Sequence, residues 1–355
     1  MVASSVAVAT PTPDVRNVRR FALTMGHALD SSSVAPGDVR LWVPLPDEQE
    51  FQHVSPVKFY FDGNYSDAWV TVNNDCGART LFATWSRTDR ADRDRLVLTV
   101  GMDVDTIDWA PAARGDLKAW RAPEKLRYPK DVAVWLQPSA HLPVGGVVKK
   151  TAGEILGGAG NSAADPLARA RCLYGWVTEN MRYAEGEGCG TGDARGILQN
   201  GRLAGDSIDI CSVFVALVRA AGIPARAMTG LRLGVGRESG RAAMRAVSGA
   251  SGAPSALADV GGEQRCRAMF YLAGFGWVPC DPAESVKARE TGMGASGRER
   301  LFGNWEMNWV GFNWGRDFAL WPEARRAVNY FAAPYAEADG APDVAFAREY
   351  TSLEG

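Results

Sequence analysis

Two stretches of the chain gather the side chains that could do chemistry. The first, GDSIDICSVFVALVRAAGIPAR (205–226), places a hydroxyl (Ser207), a carboxylate (Asp209) and a thiol (Cys211) at the head of an apolar run. Cys211, Phe214, Val215, Val218 and Ala221 recur with helical spacing, Gly222 stands where a helix-ending glycine belongs, and Pro224 enforces the stop. The helix is therefore expected to begin at about Asp206 or Ser207. A helix start presents N–H groups that favour a developing negative charge. The second stretch, QRCRAMFYLAGFGWVPCDPAE (264–284), reads as a β-hairpin. A tight turn near Ala273 and Gly274 sets Arg265 nearly opposite Asp281, and opposite charges facing each other across a hairpin are expected to pair. Histidine is scarce: His27, His53 and His141 are the only three, and none follows residue 141.

The surrounding elements fall into two kinds. Period-2 alternation marks strands at 21–27, 38–43, 57–61, 69–72, 81–86 and 96–100, separated by turn clusters, which suggests a β-sandwich over 20–110. A proline- and tryptophan-rich connection without clear periodicity follows, and 151–355 is expected to form a second, α+β domain. Its first helix has Asp165 as N-cap and Pro166 at the first helical position. A strand is expected at 227–233. Two Gly/Ala/Ser/Arg-rich loops, 237–262 and 287–300, are expected to be mobile, and residues 1–19 read as a disordered tail. The chain has 355 residues, 46% hydrophobic and 23% charged, with a net charge of −2. That balance gives no electrostatic reason to seek nucleic acid or anionic lipid, and no apolar run is long enough to span a membrane. Cys76, Cys172, Cys189, Cys211, Cys266 and Cys280 include no CxxC pair. Neither a metal nor another cofactor is expected, and sparse reduced thiols fit a cytoplasmic protein.

The two chemical stretches, together with RLWVPLPDEQEFQ, LFGNWEMNWVGFN and NYFAAPYAEADG, resemble bacterial transglutaminase-like proteins of the papain-like superfamily. In that family the first stretch carries G-x-C-x-D before the apolar helix, and the second reads roughly QHCRAEFYLPGYGWVPVDPAD. The resemblance runs over about 20–340. It implies an α+β fold with an N-terminal β-sandwich and a transglutaminase-like core. It also implies a triad of cysteine nucleophile, histidine base and orienting aspartate. The corresponding positions here are Ser207, Arg265 and Asp281, so the nucleophile and base positions are replaced.

Arginine keeps its proton at neutral pH, and a serine hydroxyl without a base is a poor nucleophile. Ordinary cysteine-type hydrolysis or transamidation is thus not expected. A helix start, a hydroxyl, a fixed cation and a carboxylate would still suit an anion or a polarised carbonyl. The leading expectation is a repurposed biosynthetic enzyme performing cyclisation, condensation or isomerisation on a small carbonyl- or acid-containing substrate. A catalytically dead protein binding a peptide or metabolite is the alternative. A third reading keeps acyl transfer through Ser207 or Cys211, with His141 or the β domain supplying the base. Each residue also has a plain reading: Ser207 as an N-cap, Arg265–Asp281 as a structural ion pair, Cys211 as core. Asp209 could face a cleft or cap the helix, and Cys189 could be structural. Trp305, Asn308 and Trp309 could wall a cleft or simply pack. Oligomeric state is not legible.

Overall fold

The structure, a computed structural model, describes residues 18–90, 93–110, 116–184, 190–234, 257–292, 294, 298–339 and 341–355. The strands in chain order are β1 (Val18–Asp30), β2 (Val39–Pro44), β3 (Gln52–Val54), β4 (Lys58–Phe59), β5 (Asp67–Thr71), β6 (Thr80–Trp85) and β7 (Arg95–Ile107). Next come β8 (Arg182–Tyr183), β9 (Ala204–Gly205), β10 (Ala225–Arg232), β11 (Ala258–Asp259), β12 (Gln264–Leu272) and β13 (Gly276–Cys280). The last four are β14 (Trp309–Asn313), β15 (Tyr335–Ala338), β16 (Ala341–Pro342) and β17 (Ala347–Glu354). The longer helices are α1 (Gly146–Ala159), α2 (Pro166–Asn180), α3 (Ala194–Gln199), α4 (Ser207–Ala220) and α5 (Pro282–Glu290).

These elements form two compact units, each drawn from separated parts of the chain. The first holds residues 18–107, 228–265 and 306–355, and the second holds 108–227 and 266–305. The first unit is a β-sandwich. One sheet runs β11-β17-β1-β7-β3, with β4 also paired to β7, and the other runs β16-β15-β2-β6-β5. Alternate residues of both sheets meet in one core: Phe21, Leu23, Met25, Leu98, Val100 and Met102 from the first, Leu41, Val43, Leu81 and Ala83 from the second. Trp42 and Phe82 point the other way and pack with Phe318, Leu320, Phe331 and Tyr335. That second layer explains why β2 and β6 are buried on both faces.

The six strands expected over 20–110 are present, with β3 in addition. The expected boundaries of the units need correction. Residues 151–355 are not one domain, because β17 pairs along β1 from Phe21↔Glu354 to Ala28↔Ala347, and β15 pairs with β2 from Tyr335↔Trp42 to Ala338↔Val39. Residues 18 and 19 belong to β1 rather than to a tail.

The second unit is built around α4, which packs against α1, α2, α3 and α5. Both expected helix starts are seen. Asp165 accepts from the Ala168 N–H at 2.9 Å with Pro166 in the first turn, and α4 begins at Ser207. The expectation of one apolar face on α4 falls short, since every residue from Ser207 to Arg219 is buried. Arg219 tolerates burial by donating to the carbonyls of Ala225 (2.7 Å) and Gln137 (3.0 Å). The C-terminus closes as a Schellman motif: Gly222, at φ +79°, donates to Arg219, and Ile223 donates to Val218. Of the two expected loops, 287–290 belongs to α5 and 258–259 to β11, while 235–256, 293 and 295–297 lie outside the described residues.

Candidate functional site

The site of interest is the start of α4 and the hairpin beside it, all within the second unit. Asp206 is the N-cap, not Ser207. Its carboxylate accepts from the N–H groups of Ile208 (2.8 Å) and Asp209 (3.2 Å). Asp209 completes a capping box by accepting from the Asp206 N–H at 3.4 Å. The same carboxylates hold the incoming loop. Gly190 donates to Asp206 at 2.5 Å, and Gly192 donates to Asp209 at 2.7 Å. The Thr191 hydroxyl also reaches Asp209 at 3.2 Å. A Cβ added at Gly190 or Gly205 would overlap the Asp209 carboxylate, so these positions need glycine for close approach. Burial raises the Asp206 pKa, opposed by the Gly190 hydrogen bond. The expected open anion site is therefore already filled by two carboxylates of the chain itself. Asp209 caps locally rather than facing a cleft. Cys189 lies outside the described residues.

Ser207 opens the first turn, is 3% exposed, and accepts from the Cys266 N–H at 3.2 Å. Cys211, one turn deeper on the same side, donates its thiol to the Cys266 carbonyl at 3.2 Å. The two residues thus bind both polar groups of one backbone residue in β12. Among the described residues no group accepts the Ser207 proton. Cys211 is fully buried, and desolvation, followed by the neighbouring Cys266 thiol, pushes its pKa well up. A thiol in that state is packing material rather than a nucleophile.

The hairpin places Arg265 elsewhere than expected. Leu272 pairs with Gly276, leaving three loop residues, of which Gly274 has φ +78°. Ala268 consequently faces Cys280, and one step further Arg267 meets Asp281. Arg267 Nε lies 3.0 Å from Asp281 Oδ2, with both side chains buried. The other carboxylate oxygen, Oδ1, accepts from the Glu284 N–H at 2.9 Å, so Asp281 caps α5. Tyr174 donates to the Asp281 main-chain carbonyl at 3.2 Å.

Arg265 belongs to the sandwich unit. Its guanidinium lies 3.0 Å from Glu263 and donates to the Gln264 carbonyl at 2.7 Å. The expected Arg265–Asp281 pair is not formed; the turn has one residue more than a tight hairpin, which moves the residue facing Asp281 from Cys266, beside Arg265, to Arg267. The missed residue, Arg267, carried a signal, because the family pattern also has arginine at that place in QHCRAEFY.

The three aromatic and amide candidates are buried. Trp305 is buried and donates to the Cys280 carbonyl at 3.0 Å in the second unit. In the sandwich unit Asn308 is buried, and Trp309 stacks on Phe51 at 6.4 Å between centroids. Among the described residues no group of three or more His, Cys, Asp or Glu side chains is disposed to hold a metal, and no helix is long and apolar enough to cross a membrane. Cys76, Cys172, Cys211, Cys266 and Cys280 are thiols outside any disulfide.

A strand-rich sandwich joined to a helical core whose central helix abuts a hairpin defines an α+β protein of the papain-like kind. Residues 150–282, which include all of α4 and the hairpin, match the transglutaminase-like superfamily model, and the chain belongs to that superfamily. An uncharacterized protein of Haemophilus influenzae is 44% identical over 91% of this chain and 86% of its own length. Among solved structures, a candidate cysteine protease of Cytophaga hutchinsonii superposes with a TM-score of 0.55. It is 15% identical and covers 96% of this chain and 92% of its own, a likeness of fold.

Proposed function

We propose that this chain is a transglutaminase-like protein that has left thiol-based acyl transfer and acts by binding a peptide or small metabolite without turnover. One observation carries the reading: Arg265 stands at the family's histidine position with its guanidinium held by Glu263 and the Gln264 carbonyl, which leaves Asp281 no imidazole to orient there. The family's aspartate would orient a histidine, and here its oxygens serve a fixed cation and a helix cap. Ser207 adds support, since its oxygen takes a backbone N–H and no described group takes its proton. The reading of a Ser207/Arg265/Asp281 centre for cyclisation, condensation or isomerisation loses its main support with the hairpin register. A cytoplasmic location fits sparse cysteines that form no disulfide among the described residues.

The test is to treat the whole protein with acyl-phosphonate and iodoacetamide probes and map the labelled peptides, then incubate it with peptide and metabolite pools. Ligands that shift the melting temperature, come back chemically unchanged and leave residues 207 and 211 unlabelled are the expected result. A label on either residue, or a new product lost in S207A, would overturn it.

A further inference from the structure

The sandwich has a lip where its core runs out to solvent. Residues 57–72 cross from one sheet to the other, with β4 against β7 and β5 against β6. Side chains along a strand alternate in direction, so each neighbour's packing fixes the next. Ala68 packs on the core shared by the two sheets, so Val70 points inward too; Trp69 points outward, its ring 4.7 Å from Phe82. On the facing lip Val57 packs on the same core, and Phe59 shares its side, 6.1 Å from the Tyr65 ring. Yet Phe59 is 36% exposed, Val70 37%, and Val72, just past the strand, 56%. Inward-pointing apolar residues in an ordinary sandwich are covered.

The backbone at this lip is also open. β5 ends its sheet, with β6 on one side and no strand on the other among the described residues. Edge strands are usually protected by lysine, proline or a bulge, and DAWVT has none of these.

We propose that β5 pairs antiparallel with β5 of a second copy of this chain about a twofold axis, covering the inward valines. The strand's own sequence favours a copy of itself. Keeping inward residues inward requires an even register. Setting Val70 opposite Val70 then puts Ala68 opposite Val72, Trp69 opposite Thr71 and Asp67 opposite Asn73. Asp67, the one charge on β5, meets a neutral amide, and no like charges face each other. An isologous pairing of this kind closes on itself and stops at two copies.

Sedimentation equilibrium of the full chain across the micromolar range is expected to show a monomer–dimer equilibrium. V70K sets two ammonium groups face to face at the axis and should raise the dissociation constant at least ~10-fold. V70C should cross-link to its own copy with a short bis-maleimide at residue 70. D67C, about 20 Å from its copy in this register, should not. Peptide mapping separates these links from any at Cys76, which is exposed. A chain that stays monomeric throughout, a V70K dimer as tight as the parent, or cross-links that map away from residue 70 would each overturn the proposal. Unchanged circular dichroism and melting of V70K show that the effect is on association.

Discussion

Replacing Arg267 with methionine tests the hairpin register directly. Nε stands 3.0 Å from Asp281 Oδ2, with side-chain exposures of 8% and 9%, so little water is present to screen the charge left behind. Removing one member of a buried ion pair costs about 3–5 kcal/mol, because the remaining charge loses its partner in a poorly solvated place. Asp281 keeps the Glu284 N–H on its other oxygen, which favours the lower end, about 3 kcal/mol. With a urea dependence near 2 kcal/mol per molar, the unfolding midpoint should fall by roughly 1–2 M. R267M/D281N removes the stranded charge and should recover most of that loss. R265M removes a guanidinium whose partner Glu263 is 36% exposed, and should cost only about 0–1 kcal/mol. Urea unfolding followed by tryptophan fluorescence and by circular dichroism measures all three variants. If R265M cost more than R267M, the assignment of Asp281 to Arg267 would be refuted.

Two further outcomes follow from buried groups. His27 is buried against Tyr350, with Nε2 2.8 Å from its hydroxyl, and desolvation lowers its pKa from 6.5 to about 3. The unfolded chain takes up a proton below pH 6.5 while the folded chain does not, so this stability is whole above 6.5 and is lost as pH falls toward 3. By pH 5 the loss should be about 2 kcal/mol, and H27Q should flatten that part of the profile; an unchanged profile in H27Q would refute it. At the helix start, G190A and G205A each push a methyl into the Asp209 carboxylate and should cost about 1–3 kcal/mol, read as a lower melting temperature. Wild-type melting in both would show that the loop has room to spare.

What could be read without coordinates was local. The caps at Asp165 and Gly222, the start of α4 and the alternating strands of the sandwich all depend on residues a few positions apart. What failed depended on distance or on a single residue of turn length. The pairing of β1 with β17 joins Phe21 to Glu354 with no local pattern to announce it. The hairpin turn holds one residue more than a tight turn, and that moves the residue facing Asp281 from Cys266, the neighbour of Arg265, to Arg267. The apolar face of α4 was legible, but burial on every side arises from four helices packed around it. Asp206 was legible as a helix boundary. Its hold on Gly190, across a loop, was not.

The union of β1 with β17 also bears on how the protein is made. Between the end of β7 at Ile107 and the start of β17 at Ala347, about 240 residues must leave the ribosome. At roughly 5–20 residues per second the early strands wait ~10–50 s for the partner that flanks β1. During that interval β1 has β7 on one side and an unfilled flank on the other, which invites capture by chaperones or by another nascent chain.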